Sequence, residues 1–210
     1  MNWAARRPPP PSTETRRATN WIVFDYGEVI STRTQALPSL AAVMGVGTEV
    51  FEAQYWALRD PYDRGLSDFD YWKSIADALG VPLDQSTSDR LTSMDIDGWL
   101  NTDPATVEML ASLDEAGAAL ALLSNAPTSF ARVAERQNWA KHFRATVFSG
   151  DLGHAKPDAE IFAALLAKLD AKPGDCLFFD DRQVNVDGAL AAGLHSRRWL
   201  GAGQTPLGDL

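Results

Sequence analysis

The chain lacks what several protein classes depend on. It holds a single cysteine, Cys176, so no intrachain disulfide can staple it, and a reducing, cytoplasmic setting is expected. That thiol lies in an apolar run, where a buried and inert side chain is expected. No apolar stretch reaches the ~18 residues that a bilayer crossing needs, so no membrane partner is expected. Basic residues are in deficit, 19 Lys and Arg against 28 Asp and Glu, for a formal charge of −9. A general nucleic-acid binder or a ligand of anionic membranes is therefore not expected. A phosphorylated substrate remains open, because one metal ion or lysine can dominate a single pocket. There is no internal repeat. The two Gly-x-Gly fragments, Gly45-Val46-Gly47 and Gly201-Ala202-Gly203, do not join a strand to a helix, as a dinucleotide site requires.

What remains is a globular composition, 45% hydrophobic and 22% charged over 210 residues, enough for one domain with an insert. Residues 1–20 carry four consecutive prolines among Arg, Ser and Thr. They lack the apolar core of a secretory signal and read as a disordered tail. The first strand is Trp21–Asp25. From Ser31 to Asn101 the pattern is helical and rich in aromatics, with helices at Leu37–Met44, Val50–Leu58, Asp68–Leu79 and Asp89–Leu100. Ser67 or Asp68 suits an N-cap and Gly80 a C-terminal stop. Trp56, Phe69, Trp72 and Trp99 are expected to pack this bundle.

Beyond Thr102, helices and strands alternate. Asp103-Pro104 opens a helix that runs to Gly117, and Ala118–Ser124 is an unbroken apolar strand. Pro127–Gln137 is helical and Ala145–Ser149 a strand. Pro157–Leu169 is amphipathic, with Ile161, Phe162, Leu165, Leu166 and Leu169 inward. Cys176–Asp180, Asn185–Ala192 and His195–Leu200 complete the series. Such alternation predicts right-handed crossovers and an α/β fold, a Rossmann-like doubly wound parallel sheet. Residues 21–30 and 102–210 form its core, and residues 31–101 an inserted helical cap. Sites in such sheets gather beyond the carboxyl ends of the strands. Asp25, Ser124-Asn125, Ser149-Gly150-Asp151 and Asp180-Asp181 all end strands. An aspartate closing a buried strand is costly to desolvate without a metal or a lysine beside it.

Four segments in this order resemble the haloacid dehalogenase superfamily of phosphotransferases. They are Phe24-Asp25-Tyr26-Gly27-Glu28-Val29-Ile30, Leu123-Ser124-Asn125, Asp151-Leu152-Gly153-His154-Ala155-Lys156-Pro157 and Phe178-Phe179-Asp180-Asp181 followed by Asn185-Val186-Asp187-Gly188-Ala189. The likeness covers most of residues 20–200. It is nearest to the branch with a small helical cap, which includes sugar-1-phosphate phosphatases and the phosphatase domain of soluble epoxide hydrolases. The resemblance implies a Mg²⁺-dependent phosphatase of small phosphorylated metabolites, acting through an aspartyl-phosphate, as monomer or homodimer.

It also implies the roles. Asp25 is the nucleophile and a metal ligand, with the Gly27 carbonyl and Asp181 completing the protein's share of the Mg²⁺ site and Asp180 an outer-shell residue or an occasional ligand. Asn185 supports that site by a hydrogen bond. Lys156 screens charge, and Ser124 and the Asn125 N–H bind a phosphoryl oxygen. Pro157 is expected in the first turn of the next helix. His154 is expected to be a loop residue or to touch the edge of the substrate. Arg64 or Tyr62 is positioned to reach down from the cap. One departure matters. Most phosphatases of the superfamily carry a second aspartate two residues after the nucleophile, and here that position is Gly27. Glu28 is expected to point to the opposite side. General acid–base help is worth roughly 10²–10⁴-fold, so the gap favours esters with good leaving groups, sugar 1-phosphates among them. The alternatives are a metal-free 2-haloacid dehalogenase and a catalytically silent binding module.

Overall fold

The computed structural model describes residues 21–204; the proline-rich tail expected over residues 1–20 lies outside them. Five strands, β1 (Trp21–Phe24), β2 (Ala119–Ser124), β3 (Ala145–Phe148), β4 (Cys176–Asp180) and β5 (His195–Arg198), form one sheet in the order β3-β2-β1-β4-β5. Every pairing is parallel. The doubly wound parallel α/β fold expected from the sequence is therefore present. Apolar residues that alternate along each strand feed two separate cores. Ile22, Phe24, Leu120, Leu122 and Phe179 pack on one face, and Val23, Ala121, Leu123 and Phe178 on the other.

Helices α6 (Pro104–Glu115) and α7 (Thr128–Ala134) precede and follow β2, and α8 (Ala159–Leu169) and α9 (Gln183–Ala191) flank β4. Between β1 and α6 lies the insertion, with α1 (Leu37–Met44), α2 (Thr48–Ala57), α3 (Arg59–Asp63), α4 (Asp68–Leu79) and α5 (Gln85–Trp99). Its core is a separate cluster containing Phe51, Tyr55, Tyr62, Tyr71, Trp72 and Ile75. The chain leaves and re-enters the sheet layer side by side. Ser31 bridges Thr102, Thr32 N–H donates to the Asn101 carbonyl (2.8 Å) and Asp103 N–H to the Ile30 carbonyl (2.8 Å).

Local chemistry accounts for several helix ends. Ser67 Oγ accepts from Asp70 N–H at the start of α4, and Gly80 ends that helix in the left-handed region at φ 68°. Three boundaries differ from expectation. α5 begins four residues earlier than Asp89, because Asp84 caps it by accepting from Thr87 N–H (2.7 Å). α3 occupies residues read as a linker. There Pro61 fills an early position whose N–H has no intrahelical partner to lose. α8 starts at Ala159 with Asp158 as its N-cap, so Pro157 stands outside the first turn. Among the described residues no helix is long and apolar enough to cross a membrane.

Candidate active site

The β1 ladder continues one residue past its strand, with Asp25 N–H donating to the Phe179 carbonyl (2.9 Å). This holds the Asp25 carboxylate beside the end of β4, where Asp180 and Asp181 emerge. Lys156 arrives from the loop before α8 and inserts between them. Its Nζ lies 2.6 Å from Asp25 Oδ1 and 2.8 Å from Asp180 Oδ2, and donates to the Leu123 carbonyl at 2.9 Å. Lys156, Asp25 and Asp180 are all buried. Asn125 positions the lysine: its Nδ2 donates to the Lys156 carbonyl (2.9 Å) and its Oδ1 accepts from Lys156 N–H (2.8 Å). α9 braces the same loop from behind. A Cβ on Gly188 would lie 2.7 Å from Pro157 Cβ and 2.8 Å from the Pro157 carbonyl oxygen, so only glycine lets the helix approach this closely.

Oxygens of Asp25, Asp180 and Asp181 all come within 4.8 Å of one another. One ammonium serves three carboxylates, and the imbalance shows in their proton affinities. Burial, partly offset by Lys156 but reinforced by Asp180 and Asp181, pushes Asp25 up to about 7. Burial and then the charges of Asp180 and Glu28 push Asp181 up to about 6. Burial alone would discharge Lys156, but the carboxylates of Asp180 and Asp25 outweigh it and raise its pKa. The residues therefore fit a further hard cation, which would stabilise all three carboxylates in their charged form.

The two adjacent aspartates differ in availability. Asp180 already accepts from Lys156, from Arg182 N–H (2.9 Å) and from Asn185 Nδ2 (3.0 Å to each oxygen). Asp181 is only partly buried and lines the cavity above. Asn185 supports Asp180 as expected, and its own Oδ1 is buried without a protein partner.

Asp25, Gly27, Ser124, Asn125, Lys156 and Asp181 all line one cavity of about 150 Å³. Its other side belongs to residues that sequence reasoning did not place there: Trp56, Arg59, Asp63 and Trp99 from the insertion, with Tyr26 and Phe130. Trp56 and Trp99, expected as bundle packing, thus face the site. Arg64 and Tyr62 are not among the lining residues. Arg64 pairs with Asp60 and Asp158, whereas Tyr62 is buried against Tyr71 and hydrogen-bonds Asp68 (2.6 Å). His154 is exposed, near Asp158 and Glu160. Glu28, expected to point away, also lines the cavity, and it adopts left-handed backbone at φ 54°. A Cβ on Gly27 would meet nothing within 4 Å, so this glycine is not imposed by crowding.

A "sesquiterpene phosphatase" of Aspergillus oryzae is 24% identical over 179 residues, 82% of this chain and 85% of that protein. A phosphoglycolate phosphatase of Salmonella choleraesuis is 31% identical over 94 residues, 44% of this chain and 37% of its own length. Among solved structures, a HAD family enzyme of Bacteroides thetaiotaomicron in complex with magnesium and inorganic phosphate superposes with a TM-score of 0.71. It shares 17% identity, over 90% of this chain and 97% of that one. L-2-haloacid dehalogenase from Xanthobacter autotrophicus gives a TM-score of 0.68 at 19% identity, over 85% of this chain and 76% of that one. The model of the haloacid dehalogenase-like hydrolases matches residues 16–193, the greater part of the sequence, and the chain belongs to that family.

Proposed function

We propose that this hydrolase is a Mg²⁺-dependent phosphatase of small phosphorylated metabolites, with residues 31–101 as a cap over the site. The observation that carries this reading is the surplus of negative charge: three carboxylates cluster around one ammonium, which contacts two of them, at the carboxyl edge of the parallel sheet. A haloacid dehalogenase needs a nucleophilic aspartate, but gains nothing from two further carboxylates beside it. A metal-assisted phosphatase uses them. Asp25, the Gly27 carbonyl and Asp181 would hold the ion, with Asp180 behind them. A divalent cation bound there supplies charge neutralisation for the transferring phosphoryl group.

The chain's own residues then divide the work. A carboxylate oxygen of Asp25 attacks phosphorus, and the ester P–O bond breaks with its electron pair passing to the leaving oxygen. Lys156 already donates to Leu123, Asp25 and Asp180, so it acts mainly through its fixed charge. Ser124 and Asn125 N–H supply hydrogen bonds to phosphoryl oxygens. Water then attacks phosphorus of the aspartyl-phosphate, releasing inorganic phosphate and restoring the carboxylate. No side chain at Gly27 protonates the leaving oxygen. The suitable substrates are therefore those whose oxygen departs unprotonated, a class that includes sugar 1-phosphates and aryl phosphates alike. The test is hydrolysis of p-nitrophenyl phosphate with and without EDTA, alongside halide release from 2-chloropropionate. Phosphatase activity lost on chelation and restored by Mg²⁺ is expected. Halide release that persists in EDTA would overturn the assignment.

A further inference from the structure

The cavity has two unlike sides, and the insertion side presents an aromatic corner whose ring polar groups are engaged. Trp56 and Trp99 meet edge to face, with centroids 6.2 Å apart and an interplanar angle of 84°. Tyr26 and Phe130 pack at 5.0 Å beside them. Each polar tip in this group is engaged elsewhere. Trp99 Nε1 donates to Tyr55 Oη (2.9 Å), Trp56 Nε1 to Glu52 (3.3 Å) and Tyr26 Oη to the Trp99 carbonyl (2.7 Å). The charged residues on this side hold each other. Arg59 Nε donates to Asp63 (2.8 Å), and Nη1 to Tyr55 Oη and Asp95 (3.1 Å). The guanidinium also lies over the rings of Tyr55, Tyr62, Tyr71 and Trp99. The remaining cation of the lining, Arg182, adjoins Asp181 at the carboxylate end.

A polyol placed against the Trp56–Trp99 corner would lose water without regaining hydrogen bonds from the rings, at a cost for each stranded hydroxyl. A second anionic group would meet a guanidinium flanked by the carboxylates of Asp63 and Asp95. A flat apolar ring loses nothing there and gains contact with aromatic faces and edges. The cavity of about 150 Å³ must also hold the phosphoryl group, so it leaves room for no more than one ring-sized group, and anything larger must emerge past Trp56, which is 38% exposed. Gly27 is consistent with such a substrate, since an aryl oxide departs without a proton donor far more readily than a simple alkoxide.

We infer that the Trp56–Trp99 corner is a subsite for an uncharged aromatic leaving group, so that the substrate is an aryl phosphate rather than a sugar phosphate or a phosphorylated carboxylic acid. This rests on the phosphatase reading for turnover, but the subsite itself is open to a binding measurement. In the reaction, Asp25 bonds to phosphorus, the aryl C–O bond stays intact, and the aryl oxide leaves with the P–O electron pair and takes its proton from solvent.

Binding is tested first, on the full-length Asp25→Asn protein with Mg²⁺, by titration with phenylphosphonate and methylphosphonate. Phenylphosphonate should bind about tenfold to a hundredfold more tightly, the range expected for burying a ring. Trp56→Ala in the same background should remove about tenfold of that preference and leave methylphosphonate unchanged. Equal binding of the two phosphonates, or equal weakening of both by Trp56→Ala, overturns the subsite. Turnover is then compared on the unmutated enzyme with phenyl phosphate, α-glucose 1-phosphate and 2-phosphoglycolate. A higher kcat/KM for phenyl phosphate supports the substrate class, and a higher value for either other ester overturns it. Hydrolysis of none, with phenylphosphonate still preferred, overturns the phosphatase reading and upholds the subsite.

Discussion

Two cations held between carboxylates, Lys156 buried at the sheet edge and Arg59 partly buried in the insertion, are built alike and do opposite things. In the insertion, Arg59 sits between Asp63 (2.8 Å) and Asp95 (3.1 Å), with Tyr55 Oη closing the group. At the sheet edge, Lys156 sits between Asp25 (2.6 Å) and Asp180 (2.8 Å). Arg59 offers a planar fork whose Nε and Nη1 are held by fixed partners and which lies over four rings, so its charge is matched within its own cluster. Lys156 is a compact charge beside three carboxylates, and one of its partners, Asp25, opens onto the cavity. A matched buried ion pair is structure, whereas a mismatched one facing a cavity awaits a ligand.

The largest effect that would break this contrast is at Asp25. Asp25→Asn should reduce turnover of p-nitrophenyl phosphate by ~10⁴-fold or more, as for loss of a nucleophile. Its melting temperature at pH 8 should be no lower than that of the parent, because the substitution removes a strained charge. Arg59→Met is the mirror experiment. It strands Asp63 and Asp95 in the insertion and should cost about 3–5 kcal/mol in denaturant unfolding, as for a broken buried pair. In the folded fraction, the Mg²⁺ requirement should persist. If Asp25→Asn unfolds the protein and Arg59→Met does not, the assignment of one cation to chemistry and the other to structure is reversed.

The same contrast explains what was legible in the sequence. Around the sheet, each site residue ends a short apolar run, so Asp25, Ser124, Asp180 and Asp181 are placed by strand periodicity, and Lys156 by its neighbouring motif. The insertion has no such marker. Trp56, Trp72 and Trp99 have the same residue type on similar helices, yet Trp72 is fully buried while Trp56 and Trp99 line the cavity. Which aromatic packs and which faces a ligand depends on the angle between helices, and a helical period does not encode that angle. Arg64 is the arginine expected to reach the site, but Arg59, set among tyrosines, is the arginine of the insertion that lines the cavity. The brace at Gly188 was likewise invisible, because a glycine required for close approach looks the same as one tolerated at a helix surface.

That brace provides a medium-sized test. Gly188→Ala puts a methyl group against Pro157, next to Lys156, without altering any polar atom of the site. A displacement of about 1 Å can cost up to ~10²-fold in a positioned reaction; a loss of about tenfold in kcat is expected here, with KM changing less. The control is Gly174→Ala, where an added Cβ meets nothing within 4 Å. An unchanged kcat for Gly188→Ala would mean that Asn125 alone fixes the lysine.

The smallest effect is thermodynamic and tests the charge surplus itself. In the metal-free protein, Asp25 is pushed up to about 7 and Asp181 up to about 6, against about 4 for an unfolded aspartate. Groups raised in this way bind more protons when folded, so their contribution is fully present below about pH 4 and is lost as pH rises through 6 and 7. The difference in melting temperature between Asp25→Asn and the parent, measured in EDTA, should therefore grow in favour of the variant from pH 5 to pH 8. Mg²⁺ should act in the opposite sense. It binds the deprotonated carboxylates, so its stabilisation of the parent should be small at pH 5 and larger at pH 8. At a hundredfold excess over Kd, ligand binding contributes about 2.7 kcal/mol, or about 2–4 °C for each kcal/mol in a chain of this size. The insertion supplies the internal standard, since Arg59 is matched within its own cluster and Arg59→Met should shift the melting temperature by the same amount with or without Mg²⁺. If the Mg²⁺ shift were equal at pH 5 and pH 8, the ion would not be bound by these carboxylates, and the difference between the two cations would be one of packing alone.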